Sequence, residues 1–153
     1  MLDALDSKII VALMDNGRMT WAELAGLLGL SSPAAADRVR RLEEQGVIKG
    51  YTALINAESA GYGLTALVAV SLERPKHREA FLALVMSLPE IQECHHTAGE
   101  DDYLLKVRCR GTRDLERILS SQLKELDGIV RTRTTIVLDT LKETPNLPHP
   151  PVE

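Results

Sequence analysis

The order of extended and helical stretches after residue 63 is the strongest constraint on this fold. Leu64–Glu73 reads as an apolar strand, and His77–Leu88 as a helix with Phe81, Leu84, Val85 and Leu88 on one side. Ile91–Ala98 and Tyr103–Cys109 read as two further strands, joined by the turn Gly99-Glu100-Asp101-Asp102. Thr112 opens a second helix with Leu115, Ile118, Leu119, Leu123 and Leu126, closed by Asp127-Gly128, and Ile129–Asp139 is a last strand. The order β-α-β-β-α-β is that of the ferredoxin-like split βαβ: an antiparallel four-stranded sheet with two helices on one face. In the first strand Leu67, Ala69 and Ser71 alternate with Val68, Val70 and Leu72, so both faces are substantially apolar. A sheet face in water is normally polar, so a second apolar face implies cover, most simply by another copy of the same sheet.

The first half carries a different period. Leu5, Ile9 and Leu13 fall at helical spacing, with Ile10 beside them, and Asn16-Gly17 ends that helix. Thr20 caps a second helix, with Glu23 three residues on as the other half of a capping box, and Leu24, Leu27 and Leu28 on the core side. Gly29-Leu30-Ser31 makes a tight turn; Ser31 or Ser32 caps a third helix, and Pro33 sits in its first turn. That helix runs to about Gln45 and stops at Gly46, with Ala35, Val39 and Leu42 as its buried stripe. Arg38, Arg40 and Arg41 fall off the stripe and are expected to point outward. Two short helices joined by Gly-Leu-Ser with a third packed behind form a helix-turn-helix. Val47–Ile55 looks extended, and Asn56–Gly63 is a linker by composition.

These segments divide the 153 residues into a helix-turn-helix over 1–50, a linker strand and loop over 51–63, an α/β domain over 64–142 and a Pro-rich flexible tail over 143–153. Aromatics make up only 3%, so the cores must be aliphatic. The formal net charge is −4, so contact with nucleic acid must come from a local patch and not from the field of the whole molecule. Cys94 and Cys109 match no zinc spacing, and no basic leader with an apolar run begins the chain, which points to a reducing cytoplasm with both thiols free. The two sit near each other if their strands form a hairpin. His95 and His96 are adjacent in a strand and face opposite sides, while His77 and His149 are scattered, so no metal site is expected.

Several motifs in series resemble the Lrp/AsnC (feast/famine) transcriptional regulators. They are Arg38-Val39-Arg40-Arg41-Leu42-Glu43, then Ile48-Lys49-Gly50-Tyr51-Thr52-Ala53-Leu54, then Glu93-Cys94-His95 followed by Gly99 to Val107, then Thr132-Arg133-Thr134. The resemblance spans about residues 2 to 142. It implies an α+β chain with an N-terminal, winged-helix-like helix-turn-helix and a C-terminal ferredoxin-like βαββαβ domain. It also implies dimers paired through the sheets, often assembled to octamers, and a free amino acid bound as effector at a junction between subunits. The recognition helix opens Ser32-Pro33-Ala34-Ala35-Ala36, poorer in long polar side chains than in many relatives.

A recognition helix reads base edges in the major groove with its N-terminal half. Here that half offers Ser31, Ser32, Ala34, Asp37 and Arg38, with Arg38 reaching a guanine or a phosphate. Arg40, Arg41 and Lys49 suit phosphates, and Thr20 and Trp21 are placed to meet the DNA backbone at the start of the second helix. The bland alternative is a solvated helix whose arginines pair with Asp37, Glu43 and Glu44. The first fifty residues hold six Lys/Arg against seven Asp/Glu, so a single head binds weakly and linked heads multiply the affinity.

For the effector, the candidate residues are Ala98, Gly99, Glu100, Asp101, Asp102 and Tyr103, with Thr132 and Thr134 supplying hydroxyls from a neighbouring subunit. Amides around Gly99 suit a carboxylate, and Asp102 suits an ammonium group. The alternative is a plain acidic turn with threonines chosen for strand propensity. No catalytic constellation, cofactor motif or metal set is legible, so the chain reads as a non-enzyme. The reading is a sequence-specific DNA-binding regulator modulated by an amino acid; the alternative is an architectural DNA-binding protein that answers to no ligand.

Overall fold

The computed structural model describes residues 2–148. The chain forms two compact units: one takes in the chain up to Leu54 with the stretch from Lys142, and the other spans Ile55–Leu141. The expected tail therefore lies partly outside the described residues, at His149, Pro150 and Pro151; from Lys142 to Pro148 there is neither helix nor strand.

The first unit holds α1 (Ala4–Asp15), α2 (Trp21–Leu28) and α3 (Ser32–Glu44). Each begins where a short polar side chain can take an orphan amide. Asp3 accepts from the Asp6 amide and Asp6 returns the bond, Thr20 and Glu23 do the same, and Ser31, not Ser32, caps α3. Gly29 closes α2 at φ 66°, a left-handed conformation that lets Leu30 N–H reach back to the Ala25 carbonyl at 3.0 Å. Ile9, Leu24, Ala35, Val39 and Leu42 meet in the centre, each at most 2% exposed. Burying each of the larger aliphatic side chains contributes roughly 1.5–3 kcal/mol. The strand expected at Val47–Ile55 is absent: Val47 and Ile48 bend back, their amides donating to the Leu42 carbonyl at 2.9 and 3.1 Å, and none of the stretch joins the sheet.

The second unit runs β1 (Leu64–Leu72), α4 (Arg78–Ser87), β2 (Ile91–His96), β3 (Tyr103–Cys109), α5 (Thr112–Ile118) and β4 (Ile129–Ile136). The sheet order is β2-β3-β1-β4 with every neighbouring pair antiparallel, the arrangement expected for the split βαβ. Several boundaries shift. A single 3-10 turn at Pro75–His77 precedes α4. The last helix keeps α-geometry only to Ile118 and continues as a π turn over Leu119–Leu123. That turn still buries Leu123 completely. β4 ends three residues before Asp139, at Ile136.

Side-chain alternation sorts the sheet. Ala66, Val68 and Val70 of β1 and Tyr103, Leu105, Val107 and Cys109 of β3 form one core with Phe81, Val85, Leu115, Ile118 and Leu123. The Tyr103 ring lies 4.8 Å from Phe81 and 5.0 Å from His96, centroid to centroid. Cys94 pairs with Leu105, four residues along β3 from Cys109, so the two free thiols are not cross-strand neighbours.

The opposite face is not the apolar plate that β1 alone suggests. Leu67 and Ala69 are flanked by Lys106 on β3 and by Arg131 and Arg133 on β4, with Glu93 bonded to Lys106 at 3.3 Å. Apolar surface is confined to a stripe through Leu67, Ala69 and Leu104. The pattern of β1 misleads here because its neighbours carry the charges.

Gly128 is the tightest point of the unit. Its φ is +91°, and a Cβ there would lie 2.1 Å from the His77 ring. Gly128→Ala is expected to cost about 1–3 kcal/mol from backbone strain, with the steric clash in addition. The measurement is a denaturant melt; an unchanged midpoint would contradict this packing.

Candidate nucleic-acid interface and effector loop

In the helix-turn-helix unit, the side of α3 away from its buried stripe carries Pro33, Ala36, Asp37 and Arg40. With Trp21 and Glu43 these residues line an open groove of about 450 Å³. Trp21 stands at the first position of α2 and is 48% exposed. Thr20, Ser31, Ala34, Arg41 and Lys49 are exposed and Ser32, Asp37 and Arg38 are half-buried, so none of the ten expected DNA residues is buried in this unit.

Arg38 departs from expectation. Its side chain is 27% exposed and turns onto the start of α1, with Nη1 donating to Asp3 at 2.7 Å and to Asp6 at 2.8 Å. Position 38 falls between the groove-facing Asp37 and the buried Val39, and the 3.6-residue period aims its side chain sideways toward α1. The two carboxylates make it a clasp between the first and third helices. Those hydrogen bonds hold the Asp3 carboxyl below its usual range, led by the Asp6 backbone amide and then by Arg38.

Arg40 and Arg41 share one acceptor. Arg40 bonds one oxygen of Asp37, and Arg41 Nε donates to the other at 3.1 Å. Arg41 leads in holding the Asp37 carboxyl below its usual range, followed by Arg40. Of the ion pairs of the bland alternative, those with Asp37 are present and Arg40 also lies 3.9 Å from Glu44, whereas Glu43 bonds Tyr51 instead of an arginine. Tyr51 adds a contact not anticipated from sequence: its hydroxyl donates to Glu43 at 2.9 Å, and its ring lies beside Gly17. Burial, then Glu43, pushes the phenol up to about 12, so it remains a donor.

In the second unit the turn after β2 is held from both sides. Thr97 N–H donates to the Asp102 carbonyl at 2.9 Å, Thr97 Oγ1 donates to the Asp101 carbonyl at 2.8 Å, and Asp102 N–H donates to Val70 at 3.0 Å. Asp102 is less free than the ammonium role requires, because one carboxylate oxygen already accepts the Leu72 amide at 2.7 Å. Asp101, 7% exposed, accepts from Ser71 at 2.9 Å, Arg131 at 3.0 Å and Arg133 at 2.7 Å. Those partners, Ser71 first, hold its carboxyl below the usual range. Asp101 is therefore committed to the sheet. The sequence hint to it lies in Arg131-Thr132-Arg133, whose alternation puts both arginines on one face.

The amides of Gly99, Glu100 and Asp101 donate to no described residue, and a Cβ on Gly99 would meet nothing within 4 Å. Tyr103 is buried and packs in the core. Thr132 and Thr134 pair with Val70 and Val68 and so lie on the helix side of the sheet. His95 bonds Glu93 while His96 stacks on Tyr103, on opposite sides as expected. Among the described residues no group of three His, Cys, Asp or Glu is placed to hold a metal ion, and no helix is long and apolar enough to cross a membrane.

Residues 2–49 match the model for winged helix-turn-helix DNA-binding domains, and residues 65–147 match the Lrp/AsnC ligand binding domain. The chain is 41% identical over 145 residues to the leucine-responsive regulatory protein of Haemophilus influenzae, covering 94% of this chain and 87% of that one. It superposes on a transcriptional regulator from Neisseria meningitidis in complex with L-methionine, with a TM-score of 0.92, 34% identity and 97% coverage of each chain. It also superposes on the feast or famine regulatory protein of Mycobacterium tuberculosis complexed with L-methionine, with a TM-score of 0.89, 37% identity, and coverage of 98% of this chain and 100% of that one. The chain belongs to the Lrp/AsnC family of DNA-binding transcriptional regulators, which are not enzymes.

Proposed function

We propose that the outer side of α3 enters the major groove of duplex DNA and that a free amino acid, seated at the turn after β2, modulates the regulator. On the DNA side, Ser31, Ser32, Ala34 and Asp37 approach base edges, Arg40, Arg41 and Lys49 approach phosphates, and Thr20 and Trp21 meet the backbone. Arg38 is left out of this set, because Asp3 and Asp6 already hold it. The observation that carries the reading is the exposed pair Arg40 and Arg41 on the face of α3 that Trp21 flanks. Arg40→Ala should weaken binding about threefold to tenfold and reduce the slope of log affinity against log salt by about one. Fluorescence anisotropy across a salt series measures both, and an unchanged slope contradicts the assignment.

On the effector side, the free amides at Gly99 and Glu100 suit a carboxylate, and Thr132 and Thr134 of an adjacent copy would supply hydroxyls in a homodimer or octamer. The L-methionine complexes of two relatives support an amino acid as the ligand. Residues 1–50 would act as the DNA head, 51–63 as the connection, 64–142 as the effector and assembly domain and 143–153 as a tail. Calorimetry against the twenty amino acids should give heat with at least one of them. Gly99→Leu should abolish that heat while leaving the melting temperature in place, because the added side chain enters open space. Binding that survives Gly99→Leu moves the site elsewhere, and silence across the panel favours the architectural alternative.

Asp101 gives the second unit an acid limit. Its partners favour the charged form, so its contribution is complete above its ordinary value of 3.8 and is lost as pH falls through the lower native value. Asp101→Asn should lower stability at neutral pH and flatten the acid side of the stability profile. Urea melts between pH 7 and pH 3 check this; parallel profiles for the two proteins refute it.

A further inference from the structure

Among the described residues four acidic side chains lie within 4 Å of the α3 arginines; Glu44 stands 3.9 Å from Arg40 on the exposed side of the helix, and the other three fall into two groups. Asp3 and Asp6 face sideways and belong to the helix packing. Asp37 faces the groove, on the second turn of α3, and holds Arg40 with one oxygen and Arg41 with the other. It is an odd choice for a surface that must approach phosphates, because a carboxylate among them is repelled. Its side chain remains 37% exposed between Ala34 and Ala36 on one side and Arg40 on the other. The small neighbours leave room for a base edge to come close.

We infer that Asp37 is a specificity-determining residue: it restrains Arg40 and Arg41 on DNA of the wrong sequence and releases them on a site that offers its carboxylate a cytosine amino group. This inference rests on the reading that the outer side of α3 meets DNA, and it names what selects the site there. Of the four bases, cytosine presents a lone N4 donor in the major groove, the natural partner for an aspartate. On a duplex that places cytosine opposite Asp37, the carboxylate exchanges its arginines for that donor, and the freed guanidinium groups turn to phosphates. On other sequences the carboxylate meets acceptors or phosphates and keeps its arginines, so the head gains little from the backbone. Selectivity then arises from a penalty against wrong sites as well as a contact with the right one.

The test uses the full chain, a duplex recovered by selection from a random library, and a scrambled duplex of equal length. Asp37→Asn should bind the scrambled duplex at least about threefold more tightly at low salt, with a salt slope steeper by about one, since about one more phosphate is engaged. It should bind the selected duplex no more tightly, and repeated selection should lose one cytosine position. If the scrambled duplex is bound as before and the cytosine is retained, Asp37 serves only to brace the helix and the inference fails. Arg40→Ala separates the two levels. If that change also leaves both affinities untouched, the outer side of α3 is not the DNA surface; if it weakens binding while Asp37→Asn changes nothing, only the specificity role is overturned.

Discussion

Strand β1 is paired along nearly its whole length on both edges, and its inner side chains Ala66, Val68 and Val70 are fully buried. Everything distinctive in the second unit is referenced to that strand. Pairing with β3 delivers the turn after β2 to the Val70 end of β1, where Asp102 closes the edge through the Leu72 amide. Pairing with β4 brings Arg131 and Arg133 to the same end, where Asp101 meets them. The candidate effector turn is thus fixed at its base by backbone and ion-pair contacts, while its tip at Gly99 and Glu100 keeps free amides. A rigid base with an open tip is what a binding loop on a sheet edge needs.

The helix-turn-helix unit manages charge differently. Its arginines on α3 are each matched by an internal carboxylate, which explains how a DNA-binding chain carries a net charge of −4. Arg38 is spent on holding α1, and Arg40 and Arg41 are restrained by Asp37. Exposed pairs of this kind contribute little to folding, so their value here lies in where they hold the guanidinium groups.

Much of this architecture is legible in the sequence. The capping residues Thr20, Glu23 and Ser31, the left-handed Gly29 and the strand Tyr103–Cys109 follow from local rules of backbone satisfaction and side-chain alternation, and they stand where those rules put them. What could not be read were facts of tertiary neighbourhood. The apolar alternation of β1 says nothing about the lysine and arginines that flank it in the sheet, and the sequence separation of 35 residues between Asp3 and Arg38 hides their contact. The same holds for Asp101 and Asp102: adjacent acidic residues look alike in a turn, yet one is turned to two arginines and the other to a backbone amide. The β-branched residues of Val47–Ile55 suggested an extended lead-out, but a strand also requires an edge to pair with, and among the described residues none pairs with this stretch.

The DNA-binding reading places α3 in the major groove with Ser31, Ser32, Ala34 and Asp37 toward the bases. Methylation interference on a selected duplex addresses it directly, because methyl groups on guanine N7 block the major groove and those on adenine N3 block the minor groove. Binding is expected to be lost with N7-methylated guanines inside the selected site and tolerated with N3-methylated adenines there. Interference confined to adenine N3 would place the protein in the other groove and contradict the account.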